Sequence, residues 1–251
     1  MFAIEQQDEI TLLHMQYGSA NAMDVDFCTA LSKTIKELAE TSCKAIVLTG
    51  KGKIFCAGVD LPKLLEGGAD YVRQFLPALD EVLETIFFCN KPVVAAVNGH
   101  AIAGGCLLAC TADRRLMVDG KSQIGVPELR VGVPSPAVAL EIMRAKTSSA
   151  FFEEVTLGAA TYTAQEALKR GLIDEIVEKD QLLTEAISAA EALASIRPEI
   201  FSFSKQQIRQ PVREAIDSRT KGQEAELFAL WESDDTHAAV SAFVARTFKK
   251  V

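Results

Sequence analysis

Two stretches of this chain follow one plan, and that plan restricts the fold. Ala45-Ile46-Val47-Leu48-Thr49 is a short apolar run that leads through Gly50-Lys51-Gly52-Lys53 to Ala57-Gly58-Val59. Pro92-Val93-Val94-Ala95-Ala96-Val97-Asn98 is a second such run, leading to Ala103-Gly104-Gly105. Short apolar runs bounded by glycine or proline read as buried strands. Around them lie helical patterns: Phe27, Leu31, Ile35 and Leu38 after Asp24, and Phe75, Leu79, Val82, Leu83 and Ile86 further on. Strands alternating with amphipathic helices define an α/β core.

The remaining segments fill in this frame. Strands are expected at Phe2–Gln6, Ile10–Met15, Arg115–Val118, near Gln123-Ile124 and at Ile173–Val177. Asp60 to Asp70, with Pro62, Gly67 and Gly68, reads as a mobile loop. A helix follows Gly104-Gly105 and runs through Ala112. Thr163-Ala164-Gln165-Glu166 is a capping box, and Gly171 ends that helix. Leu182–Ile196 reads as a helix stopped before Pro198. From there the pattern is helical to the end, with breaks expected near Pro211 and Ser233-Asp234-Asp235. The division expected is therefore a core over 1–196 and a helical region over 197–251. At 251 residues and 49% hydrophobic content, one domain with a helical appendage can bury a large core.

Charge and cysteine content exclude several classes. The net charge of −8 and pI near 5.1 argue against nucleic acid, which needs a basic surface. No apolar run approaches the roughly 20 residues that span a bilayer. The first residues lack a basic region followed by an apolar run, so no signal peptide is expected and a cytoplasmic protein is. The six cysteines form no Cys-x-x-Cys pair, and only Cys106 and Cys110 lie close together, at helical spacing. Buried reduced thiols are expected, and no metal.

Chemistry concentrates at the two glycine junctions and at Gly125-Val126-Pro127-Glu128. Glycine lets backbone approach a ligand without a Cβ in the way. Two such junctions side by side can offer two N–H donors to one oxygen; each is equally a tight turn. Glu128, among apolar neighbours, is either an acid/base with a raised pKa or a cap for Leu129–Gly132. Where a second carboxylate might follow the glycine pair stands Leu107. His100 reads as a pocket-lining or structural residue. Lys51 and Lys53 lie where they can meet phosphate, or belong to a solvated loop. Phe243 and Arg246 lie one turn apart on the last helix, where packing is the default. No serine or cysteine has a triad arrangement in sequence.

Together these segments resemble the crotonase superfamily, the enoyl-CoA hydratase/isomerase fold, over roughly Ile4 to Lys249. Phe55-Cys56-Ala57-Gly58-Val59-Asp60-Leu61, the run Pro92–Gly99 with Ala103-Gly104-Gly105-Cys106, and Gly125-Val126-Pro127-Glu128-Leu129 resemble its three ordered signatures. Ser241-Ala242-Phe243-Val244 is also family-like. The resemblance implies an α/β spiral of ββα units with C-terminal trimerisation helices, giving a homotrimer or hexamer. It implies an acyl-CoA thioester as ligand, with coenzyme A as part of the substrate and no separate cofactor. The implied oxyanion hole is the N–H groups of Val59 and Gly104. Ala57, Gly58, Asp60, Leu61, Gly105 and Leu107 would line the ligand. Lys51 or Lys53, and Arg246 with Phe243 from a neighbouring subunit, would meet the CoA moiety.

Within the superfamily, hydratases carry one glutamate at the position of Leu107 and another at that of Glu128. Dienoyl-CoA isomerases carry an aspartate at the Leu107 position and another eight residues past the glutamate, where this chain has Pro136. Ala103-Gly104-Gly105-Cys106-Leu107 looks most like the mitochondrial-type Δ3,Δ2-enoyl-CoA isomerases, which keep a leucine there and a single glutamate. The expected activity is transfer of a C3=C4 double bond to C2=C3. The rivals are hydration, with a second carboxylate from the Glu66–Asp70 stretch, another crotonase reaction on a CoA thioester, and a non-catalytic acyl-CoA-binding protein.

Overall fold

Side chains alternate across a strand, so a strand apolar at every position must be covered on both faces. That condition is met in the computed structural model of the chain, which describes residues 1–248. A six-stranded sheet has the order β1 (Phe2–Gln7), β2 (Ile10–Met15), β3 (Ala45–Thr49), β5 (Val93–Val97), β7 (Arg114–Val118), β10 (Glu175–Val177). The β1–β2 pair is antiparallel and the other pairs are parallel. Ala45, Val47, Val94 and Ala96 face Leu182, Ala186 and Ala190 of helix α8 (Leu182–Ala194). Ile46, Leu48, Val93, Ala95 and Val97 face the main core with α1 (Val25–Ala39) and α2 (Leu61–Phe87).

A second sheet has the order β4 (Ile54–Cys56), β6 (His100–Ile102), β8 (Ile124–Gly125), β9 (Thr161–Tyr162). Each turn of the chain therefore lays one strand in the large sheet, one in the small sheet, then a helix. The turns are β3-β4-α2, β5-β6-α3 (Gly104–Cys110) and β7-β8-α4 (Glu128–Val131). This is the ββα spiral. The glycine junctions are where the chain leaves the small sheet for a helix. After α4 come α5 (Ala137–Lys146), α6 (Phe152–Leu157) and α7 (Ala164–Arg170), the last with its capping box formed: Thr163 N donates to Glu166 Oε2 at 2.9 Å.

Two expectations are corrected. Asp60 to Asp70 is helix over most of its length, not a loop. Asp60 caps it by accepting from Lys63 N at 3.1 Å, and Pro62 sits in the first turn, where its missing N–H is harmless. Only Gly68, at φ 57° and ψ −150°, leaves the helical range. Pro211 likewise breaks nothing: α9 runs unbroken from Pro198 to Trp231. The carbonyl deprived of a partner belongs to Gln207, and both residues are exposed, so water can take the place of the lost bond. The chain does turn at Ser233, before α10 (Asp234–Phe248). The short strand β9, antiparallel to β8, carries no expectation from sequence; two residues give no periodicity to read. Positions 249–251 of the expected helical region lie outside the described residues.

Helix α9 is fixed to the core by ions. Asp113 accepts from Arg209 at 2.7 Å and from Lys205 at 2.7 Å, and also caps Val93 N at 2.8 Å. The Arg209 guanidinium lies 4.0 Å from the Phe87 ring centroid.

Candidate active site

The first junction leaves one N–H unused. Ala57 N donates to Ala20 O at 3.0 Å, Met23 N to Gly58 O at 2.7 Å, and Asp60 N to Met23 O at 2.9 Å. Met23 and Val59 thus form an isolated parallel bridge. In such a bridge Met23 bonds the residues on either side of Val59, so the N–H of Val59 points away from Met23. Among the described residues it has no acceptor.

The second junction supplies another free donor. Ala103 N donates to Gly125 O at 2.8 Å, and α3 starts at Gly104. The helix closes through Cys106 N and Leu107 N onto Ala103 O, at 2.8 and 3.1 Å. The N–H of Gly104 lies in the first turn, where no helical acceptor exists. Ala103 holds φ +53° with a Cβ present, a strained geometry that marks functional sites.

The junctions touch. A Cβ on Gly58, whose φ is +86°, would lie 2.7 Å from Ile102 O and 3.2 Å from Gly104 N. A Cβ on Gly105 would lie 2.0 Å from Cys56 O. Glycine is required at both positions because the backbones of the two turns pack directly together. Val59 and Gly104 therefore present their free N–H groups from adjoining segments.

Glu128 enters from the third turn. Ile102 pairs with Gly125 across β6 and β8, and Pro127 starts α4 so that Glu128 is its first residue. Its side chain is buried, and neither carboxylate oxygen has a hydrogen-bond partner. Burial raises its pKa to about 7, with only the nearby N–H of its own backbone pulling the other way. No second carboxylate and no cation shifts it. Its neighbour on α3 is Cys106, whose thiol is pushed up by a hydrogen bond with Cys110, by burial, and by the Glu128 charge. The adjoining residue, Leu107, is buried too. An acid/base poised near neutrality thus lies close to Cys106, in the first turn of α3.

The other expected residues spread outward from this centre. Gly58 and Gly105 are buried; Val59, Asp60 and Leu61 are half-buried; Ala57, Lys51 and Lys53 are exposed. Phe243 and Arg246 lie on α10, which packs on α2 and α4. Arg246 lies 5.6 Å from the ring centroid of its own Phe243. His100 accepts from Gln123 N at 3.2 Å and so ties β6 to the approach to β8. Glu66 and Asp70 are exposed on α2. All six cysteines are free and buried. Among the described residues no cluster of three metal-ligating side chains occurs, and no helix is long and apolar enough to cross a membrane.

Sequence reading missed the part played by Met23 and Ala103. The signal for Met23 was faint, because one bridging residue has no periodicity. It missed also a cavity of about 430 Å3 between α2, α5 and α9, with Leu76, Asp80, Ala137, Leu227 and Phe228 in its wall and Glu128 outside it.

The family model described as Enoyl-CoA hydratase/isomerase matches residues 5–249. The chain belongs to that family and has the crotonase fold. It is 29% identical to the 2,3-dehydroadipyl-CoA hydratase of Escherichia coli K12, over 96% of this chain and 94% of that one. It is 26% identical to the mitochondrial enoyl-CoA delta isomerase 1 of Rattus norvegicus, over 89% of this chain and 78% of that one. The crystal structure of human mitochondrial Δ3,Δ2-enoyl-CoA isomerase superposes with a TM-score of 0.92 at 22% identity, covering 99% of this chain and 98% of that one. Hydratase and isomerase names occur at similar identity.

Proposed function

We propose that the protein is a Δ3,Δ2-enoyl-CoA isomerase. The observation that carries this reading is the solitary state of Glu128: a buried carboxylate with no charged partner, in a chain with Leu107 and no carboxylate three residues past Gly104. The thioester carbonyl accepts hydrogen bonds from Val59 N–H and Gly104 N–H, which stabilise an enolate and acidify the protons on C2. Glu128 as carboxylate takes a proton from C2. The electron pair left there delocalises through the dienolate, and Glu128 returns the proton at C4, so the double bond ends at C2=C3. One base serves both carbons from one face. The reaction needs no metal or redox cofactor, and coenzyme A is part of the substrate. Ala57, Gly58, Asp60, Leu61, Gly105 and Leu107 line the acyl end, while Lys51, Lys53, Phe243 and Arg246 serve the CoA moiety.

Hydration needs a water held between two acid/base groups. An ordered water beside Leu107 would lose hydrogen bonds that a carboxylate would give it. The test is an assay of 3-enoyl-CoA against 2-enoyl-CoA with products separated. Isomerisation is expected to exceed hydration, and Leu107→Glu is expected to raise hydration relative to isomerisation. Efficient hydration of crotonyl-CoA with 3-enoyl-CoA left untouched would overturn the reading. Binding of CoA esters with neither reaction would favour a non-catalytic member.

A further inference from the structure

A polar cluster flanks the first junction, and the chemistry above does not use it. Asp24 is the N-cap of α1, its Oδ1 accepting from Phe27 N at 2.7 Å. Its Oδ2 accepts from Tyr17 OH at 2.6 Å and from the Lys63 ammonium. The Asp24 side chain is 1% exposed and that of Lys63 44%. Burial alone would raise the Asp24 pKa; the bonds from Lys63, Tyr17 and Phe27 N outweigh it and hold the carboxyl below its usual range. Asp24 directly follows Met23, the residue that bridges Val59. Lys63 lies in the first turn of α2, bonded through its N–H to the Asp60 cap. The ion pair therefore closes a ring around the Val59 loop, outside the three backbone bonds that join Ala20 and Met23 to residues 57–60.

Gly68 is the single non-helical residue of α2, and it separates the Leu61–Gly67 arm from the rest. Beyond it, Tyr71 OH accepts from Val25 N at 3.3 Å. The first turn of α1 thus holds both arms: Lys63 on one side of the break and Tyr71 on the other. Lys63 is the side-chain tie of the short arm to α1, beside buried Leu64 and the backbone bond from Asp60 N to Met23 O, and Asp60 and Val59 are the root of that arm.

We infer that Tyr17, Asp24 and Lys63 are positioning residues that set the direction of the Val59 N–H, and that releasing Lys63 from Asp24 turns this donor away from the thioester oxygen. This rests on the reading of Val59 as an oxyanion donor. The three side chains act through Val59 and not on the ligand, so their loss weakens transition-state stabilisation more than binding.

The test uses Lys63→Met, Asp24→Asn and Lys63→Arg in the full chain. Asparagine remains a good N-cap, so Asp24→Asn keeps α1 while weakening the ion pair. Two quantities are read beside the thermal melt. One is kcat and KM on whichever of 3-enoyl-CoA and 2-enoyl-CoA the unaltered protein turns over. The other is the carbonyl stretching band of bound butyryl-CoA labelled with 13C at its thioester carbon, which moves to lower frequency as the oxygen accepts stronger hydrogen bonds. Lys63→Met and Asp24→Asn are expected to lower kcat about 10- to 100-fold, to leave KM within about threefold, and to reverse part of the band shift. Lys63→Arg is expected to restore most of both. A folded Lys63→Met with unchanged kcat and band overturns the inference, as does a change in KM alone, which would place Lys63 on the ligand. If the unaltered protein binds butyryl-CoA without shifting the band, the oxyanion reading itself fails and this inference falls with it.

Discussion

Glu128 is unstable where it is useful. Its carboxylate is buried with both oxygens unpartnered, so the ionised form required of a base is the form the site tolerates least. Its folded pKa, about 7, lies above the 4.5 usual for a glutamate in water. The stabilising contribution of the protonated form is therefore complete below the unfolded pKa and lost as pH rises through about 7. Glu128→Gln is expected to melt higher than the unaltered protein at pH 8, by about 1–3 kcal/mol, and to converge with it near pH 4. Turnover by that variant is expected to fall roughly 100- to 10,000-fold while CoA-ester binding survives. In the unaltered protein, kcat/KM is expected to climb with pH and level off above about 7. Calorimetry and rate profiles across pH 4 to 9 read all three, and a Gln variant less stable at pH 8 would contradict the argument. The sequence placed this residue after Pro127 but left it open between a base and a surface cap. Burial removes the surface reading, and the base is the role proposed for it. That burial comes from segments distant in sequence, the neighbourhood of Cys106 on α3 among them, and no local pattern records that packing.

Elements were more legible than single side chains, and the exceptions have identifiable physics. Phe27, Leu31, Ile35 and Leu38 all point into the core, as their spacing required. The glycines at 67 and 68 suggested a loop, yet only Gly68 departs from helix, because Asp60 and Pro62 start the segment firmly. Lys205 and Arg209 lie one turn apart on a helix rich in polar residues, and nothing in the sequence sets them apart from its other charged positions. Both are buried on Asp113, in the turn between α3 and β7, and burial lowers the pKa of each against the pull of that carboxylate. Removing the anion leaves two buried cations unpaired. Asp113→Ala is therefore expected to cost about 3–5 kcal/mol in urea denaturation. The triple variant Asp113→Leu, Lys205→Met, Arg209→Leu should recover much of that loss, since apolar groups can replace a buried ion cluster. If Asp113→Ala is neutral, α9 is held by its apolar contacts alone and the ions are incidental.

At the scale of the whole molecule the spiral core covers itself, whereas α9 does not. Both faces of the large sheet are covered, one by α8 and one by the main core. Helix α9, by contrast, leaves Ile200 at 46%, Phe203 at 61% and Ile208 at 76% exposed. Their spacing of three and eight residues places them on one side of the helix, next to Ile196, at 43%, in the turn before it. Grouped exposed apolar side chains of this kind mark a contact surface more often than scattered single ones do. The expectation of a trimer or hexamer came from the resemblance and not from any periodicity, because a helix face that packs on another copy looks like one that packs on its own core. Analytical ultracentrifugation at micromolar concentration is expected to show trimers or their pairs. The double variant Phe203→Glu, Ile208→Glu should sediment as a smaller species with an unchanged circular dichroism spectrum, since both side chains are exposed in the single chain and the core does not need them. Retention of the parental mass by that variant would move the contact elsewhere on the surface. A monomeric parent would remove the premise, and Phe243 and Arg246 on α10 would then have only the CoA moiety of their own chain to meet.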